Sequence, residues 1–211
     1  SSFSNLFTKL SDNKNLKMFY LDGDKIKEKD EIFFQVGQTE TTAQIQLVEI
    51  GSLVLVDSPG LHSMTDKNGD LTKKYLDSAD AIIWLTSSSS PGQTQELTEL
   101  IKEIQKEKPL LPIITKSDIE VEDWCEEANN IITITKPKVN KVREEQELDV
   151  QKRTKEYLKK ENSNTKLLQP ISISAKLVED KKIKDSNIDK LFSNLENKIL
   201  DEAFNYKIFK P

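Results

Sequence analysis

Leu110-Leu111-Pro112-Ile113-Ile114-Thr115-Lys116-Ser117-Asp118 is an apolar run that ends on Thr-Lys-x-Asp. An apolar run this short, bounded by charge, predicts a buried strand with a polar carboxyl end. Two other runs end in the same manner. Ser52-Leu53-Val54-Leu55-Val56 stops on Asp57-Ser58-Pro59-Gly60, and Pro170-Ile171-Ser172-Ile173 stops on Ser174-Ala175-Lys176. Open α/β sheets gather ligands beyond the carboxyl ends of their strands, so three polar segments in these places outline one pocket.

Around these runs, strand patterns alternate with helical ones. Ile45–Ile50 and Ser52–Val56 meet at Gly51 as a tight hairpin. Ala79–Leu85 and Leu168–Ile173 read as buried strands. Thr94–Lys106 sets Leu97, Leu100, Ile101 and Ile104 at helical spacing, and Ile188–Phe204 repeats this with Ile188, Leu191, Leu195, Ile199 and Phe204. The alternation predicts an α/β fold, a mostly parallel sheet covered on both faces. Asn13–Gln38 reads as polar and irregular. Val121–Asn164 reads as a charged helical insertion facing water, with Val139–Lys160 as one amphipathic stretch. Residues 1–204 form one domain in this reading, and 205–211 begin a following segment.

The 211 residues carry a net charge of −5, with the two signs nearly balanced, which argues against a nucleic-acid partner. Arg143 and Arg153 are the only arginines. One cysteine, Cys125, and one histidine, His62, exclude an internal disulfide and a Cys/His zinc site. Cys125 reads as a packing residue. No apolar run approaches the ~20 residues of a membrane span. The expected location is cytoplasmic, peripheral to a membrane if other parts of the protein provide contact. The chain opens at Ser1 without Met and is expected to be a fragment.

Each polar segment suits one part of a guanine nucleotide. Asp57, at a strand end, suits a water on Mg²⁺, and Gly60 offers a backbone N–H to the γ-phosphate. Asp-Ser-Pro-Gly is equally good turn chemistry. Asp118 can accept from guanine N1–H and N2–H₂, a donor pair that adenine lacks. The Lys116 stem can lie along the base. Asp118 also reads as the N-cap of a following helix. Ser174-Ala175-Lys176 would place the Ala175 N–H at guanine O6, or be an ordinary turn. No G-x-x-x-x-G-K-[ST] occurs in the chain. Phe3, Leu6, Phe7 and Leu10 nonetheless open it at helical spacing. Ser1 is therefore expected to be the Mg²⁺-binding hydroxyl of a Gly-Lys-Ser-Ser, with the first strand and most of the phosphate loop upstream. Thr42, with Thr41 as the alternative, is the expected switch threonine over Mg²⁺ and the γ-phosphate.

These residues resemble the GTPase domain of the dynamin-like superfamily, in the bacterial branch typified by the LeoA protein. Thr115 stands where the usual motif has Asn, and Asp57-Ser58-Pro59-Gly60-Leu61 is similar to the group's Asp-x-Pro-Gly-Leu. The resemblance implies a P-loop NTPase G domain, a three-layer sandwich that binds GTP and GDP with Mg²⁺ and hydrolyses GTP. Leu61 occupies the place of the water-orienting Gln of Ras-like enzymes, and Leu cannot orient water. The group's alternative is activation from the phosphate loop, with a monovalent cation such as K⁺, when two GTPase faces form a homo- or heterodimer. The resemblance also implies a nucleotide-driven switch in a membrane-remodelling protein, with stalk and lipid-binding parts outside this chain. An Arg143 or Arg153 finger has little support, and His62 reads as a bystander. The alternatives are an Era-like ribosome-associated GTPase, a non-hydrolysing GTP-gated scaffold and an ATP-using P-loop enzyme.

Overall fold

A computed structural model describes residues 16–22, 25–30, 45–50, 53–57, 77–90, 100, 108–127 and 129–209. The chain divides into two compact units, Ser1–Leu76 and Asp77–Pro211.

The first unit holds a four-stranded antiparallel sheet in the order β2-β1-β3-β4. Its strands are β1 (Lys17–Asp22), β2 (Lys25–Lys29), β3 (Gln46–Ile50) and β4 (Leu53–Asp57). The expected pairing of β3 with β4 is present, with Ile50 opposite Leu53 and Gln46 opposite Asp57. Period-2 alternation splits the apolar residues between the two sheet faces. Met18 and Val48 pack with Leu16 and Leu55, while Leu21, Ile45 and Leu47 pack with Phe19 and Val56. The segment read as irregular, Asn13–Gln38, thus contains two strands. Met18-Phe19-Tyr20 are good strand formers, and the lysine-rich β2 is suited to a sheet edge.

The second unit is built on a parallel sheet, β5-β6-β9. Strand β5 is Ile82–Ser87, β6 is Leu110–Thr115 and β9 is Ile171–Ser172. Leu110, Leu111, Ile113 and Ile114 of β6 are all at most 1% exposed, as a central strand covered on both faces requires. The expected strand Leu168–Ile173 is broken. The chain bridges β6 at Leu167, one residue before that span, and pairs again only at Ile171–Ser172. Two prolines explain the gap. Leu110 N–H donates to Lys166 O and Ile173 N–H to Ile114 O, so even-numbered β6 residues turn their amides toward β9. Pro112 shares that orientation and has no N–H, and Pro170 removes a donor from the facing strand.

The insertion differs from its sequence reading. Asp118–Cys125 (β7) and Asn130–Pro137 (β8) form an antiparallel ribbon, and helix α1 covers only Asn140–Lys160. Asp118 opens a strand opposite Pro137; it caps no helix. The first eight residues read Asp-Ile-Glu-Val-Glu-Asp-Trp-Cys, largely an alternation of acid and apolar groups, which is a strand period. Nor is α1 a solvated rim helix. It buries Arg143, Glu147, Val150, Thr154 and Leu158 along one face and packs on β6 and β9.

The chain continues through α2 (Ala175–Glu179), α3 (Ile183–Ser186), α4 (Ile188–Asn194), a π-helical turn (Leu195–Ile199) and α5 (Leu200–Phe209). The predicted helix Ile188–Phe204 is present, with Ile188, Leu191, Leu195 and Ile199 buried and Phe204 exposed. Among the described strands only β5-β6-β9 form a parallel sheet; the others form separate antiparallel sheets, where one mostly parallel sheet was expected. Of the predicted helix Thr94–Lys106, only Leu100 is among the described residues, and the layer stacking expected for the whole chain involves segments outside them. No described helix is long and apolar enough to cross a membrane.

Candidate functional site

The carboxyl ends of β5, β6 and β9 converge through their loops. Thr115 Oγ1 donates to Thr86 O at 3.2 Å, and Ser88 N–H donates to Thr115 O at 2.8 Å. Ser88 Oγ donates to Lys116 O. Ser117 N–H donates to Ile173 O at 3.0 Å. This last bond joins the loop that carries Thr115, Lys116 and Asp118 to the loop that carries Ser174, Ala175 and Lys176. The second and third polar segments found in the sequence are therefore neighbours.

Local geometry sets each residue. Lys116 has φ of 55°, an unusual state for a residue with a Cβ. Its side chain is exposed, Ser117 is fully buried and Asp118 is half-buried. Ser174 is the N-cap of α2, its Oγ accepting from Leu177 N–H at 3.1 Å. Lys176 is exposed, its ammonium 3.8 Å from Asp180 on the next helical turn. An open groove of about 380 Å³ runs between the ribbon and α2, lined by Glu120, Thr135, Lys176, Asp180 and Lys182.

Behind these loops stands α1. Arg143, 4% exposed, donates from Nε to Ser117 Oγ at 3.1 Å and from Nη2 to Ser117 O at 2.7 Å. Its Nη1 donates to Asp185 O at 3.0 Å. Gln146 Nε2 and Lys138 Nζ both donate to Ser88 O, at 2.9 and 3.3 Å. Glu147 Oε1 accepts from Ser172 N–H at 2.7 Å, and Asn187 Nδ2 donates to Ser172 O at 3.0 Å. Burial lowers the Arg143 pKa, while the charges of Glu147, Asp118 and Asp185 act the other way. Sequence reading had assigned no structural role to these side chains. The available signal was the spacing 143, 146, 147, one turn of one helix face.

Asp57 lies in the first unit, half-buried at the end of β4. Ser1, Thr41, Thr42, Gly60, Leu61 and His62 lie outside the described residues. Among the described residues no group of three or more His, Cys, Asp and Glu side chains could hold a metal ion. One carboxylate ligand at a strand end fits Mg²⁺ bound mainly by phosphate, hydroxyl and water, the usual manner of that ion in nucleotide sites. Arg143 is committed inward, and Arg153 pairs with Asp149 on α1.

The family model of the dynamin family matches residues 9–117. The chain belongs to the dynamin family. This is a family of GTP-binding domains with the P-loop GTPase fold, and the parallel sheet with its convergent loops is consistent with that fold. The match ends one residue before Asp118, so the ribbon, α1 and the Ser174–Lys176 loop extend beyond it. The chain is 38% identical over 220 residues to an uncharacterised protein of Acinetobacter baylyi, covering 100% of this chain and 42% of that one. It is 25% identical over 222 residues to an uncharacterised protein from the xynA 3′ region of a Caldicellulosiruptor species, covering 82% of this chain and 55% of that one. The dynamin-family chain thus spans about half the length of these relatives. No solved structure matches it.

Proposed function

We propose that this dynamin-family domain reads guanine with Lys116, Asp118 and the Ser174-Ala175-Lys176 loop, and hydrolyses GTP to GDP and phosphate. The observation that carries the base-reading assignment is the 3.0 Å bond from Ser117 N–H to Ile173 O. It sets the two loops side by side at the carboxyl ends of adjacent parallel strands, where a purine can be gripped from both. Asp118 would accept the paired N1–H and N2–H₂ of guanine, and the Ala175 N–H would donate to O6. Lys116, turned outward by its positive φ, has a stem free to lie on the base plane.

At the phosphate end, Asp57 would hold a water on Mg²⁺, with the Ser1 and Thr42 hydroxyls completing the shell and the Gly60 N–H on the γ-phosphate. Bound Mg²⁺ would supply charge neutralisation between the phosphates. Leu61 leaves water positioning to another element. Self-association of two such domains, with K⁺ as a further cation, is the proposed source of activation, and ordering of the loops around Thr42 and 63–69 is the proposed output. Action at a membrane would belong to other parts of the full-length protein, which is proposed to be cytoplasmic and membrane-peripheral.

Asp118→Asn tests the base reading. An amide donates to a xanthine 2-oxygen and repels the guanine 2-amino group. The variant should lose GTP affinity and gain XTP affinity, a swing in the ratio of at least about a hundredfold, or two bonds' worth. An unchanged ratio refutes the assignment. Steady-state hydrolysis by the full-length protein tests the rest. A specific rate that rises with protein concentration supports dimer activation, and tight GTP binding without turnover supports the nucleotide-gated scaffold.

A further inference from the structure

One turn of α1 reaches the loops at all three strand ends of the parallel sheet. Gln146 takes the Ser88 carbonyl after β5, Arg143 takes Ser117 after β6, and Glu147 takes the Ser172 amide at the end of β9. Arg143 makes three hydrogen bonds from one planar group, two of them to the residue directly before Asp118. A guanidinium presents donors in a rigid fork, and an ammonium cannot reproduce that geometry. The third contact ties the same group to Asp185 O, in the segment whose Ser186 O accepts the Ser174 N–H at 3.1 Å. Arg143 therefore holds the Asp118 loop directly and the Ser174 loop through its neighbour.

We propose that Arg143 is a positioning residue for base selectivity. Supported by Gln146 and Glu147, it fixes the depth and angle at which Asp118 meets the purine. This rests on the assignment of Asp118 as the guanine acceptor. The Ser117–Asp118 backbone enters the ribbon immediately, opposite Pro137. The fork on Ser117 fixes the loop on its other side. Without it the loop keeps its fold through the Ser117–Ile173 bond but loses its fixed orientation. A bidentate pair needs alignment of both bonds, so the second bond, to the 2-amino group, fails first.

The test compares GTP with ITP, whose base lacks the 2-amino group, on the full-length protein. Arg143→Lys keeps the charge and removes the fork. It should weaken GTP binding about tenfold and ITP binding about threefold, so that the GTP-over-ITP preference falls about threefold. General loosening of the fold would weaken both nucleotides equally and leave the preference unchanged. That result overturns the proposal. Should Arg143→Lys fail to fold, Ser117→Ala carries the same comparison, since it deletes one acceptor of the fork and no backbone group. A fall in preference supports the proposal, and an unchanged preference overturns it. Asp118→Asn is run alongside with XTP. A swing to XTP with an unchanged GTP-over-ITP ratio in the Arg143 or Ser117 variant sinks the brace alone. Absence of the swing sinks the base assignment and the brace together.

Discussion

The carboxylate of Glu147 accepts the amide N–H of Ser172 at 2.7 Å, with both residues buried. A helix side chain here serves as the hydrogen-bond partner that a strand amide would otherwise seek from another strand. Strand β9 is only two residues long, and this contact adds to its short pairing with β6 and to the Asn187 bond on the Ser172 carbonyl. The other Glu147 oxygen lies 3.8 Å from Lys190 Nζ.

Glu147→Ala should therefore leave a buried amide without an acceptor. The expected cost is about 2–4 kcal/mol, because a charge-assisted bond is lost and its donor is stranded. Glu147→Gln retains an acceptor oxygen and should cost less than half as much. Urea denaturation midpoints with unchanged slopes measure both. Equal effects of Ala and Gln would contradict the role given to the carboxylate.

Lys116 gives opposite signs in two measurements. Its φ of 55° favours glycine. Lys116→Gly should leave stability unchanged or raise it by up to about 1 kcal/mol. The same change removes the stem proposed to lie along the base, and GDP release should quicken by about tenfold or more. Thermal melting and release of a fluorescent GDP analogue test the two halves separately.

The two tryptophans report different environments. Trp84 is 7% exposed on β5, whereas Trp124 is 57% exposed on the ribbon. In the full-length protein, Trp124→Phe should abolish an acrylamide-quenchable component, and Trp84→Phe a protected one. Trp124→Phe should change stability by no more than about 0.5 kcal/mol, since it touches no buried feature. Quenching that is unchanged by Trp124→Phe would show the ribbon covered.

Much of this was legible in the chain. β6 was read with its observed bounds because Leu110–Thr115 is continuously apolar and stops on charge, as a central parallel strand does. The β3–β4 pairing was equally plain. The ribbon was hidden by its acids. Glu120, Glu122 and Asp123 made a strand look like the head of a charged helix, although the apolar residues between them keep period 2 as far as Val121. The inward face of α1 was hidden for another reason. Arg143, Glu147 and Thr154 are polar groups buried with partners, and hydropathy assigns such groups to water. The loops proposed to read the base were visible as short polar segments after apolar runs. Their brace was not, because its partners come from residues 88, 117, 172 and 185, far apart in sequence.

The broken ladder between β6 and β9 has a consequence for synthesis. β6 is flanked by β5, made before it, and by β9, which follows only after the ribbon and α1. Chain closure over that distance is slow relative to hairpin formation, and the ribbon can zip up early. A nascent chain halted within α1 would display β6 with one flank open and its apolar side chains uncovered. Ile171 and Ser172 close the open flank of β6, so that strand stays uncovered on one side until β9 has been made, and until then the hazard is aggregation.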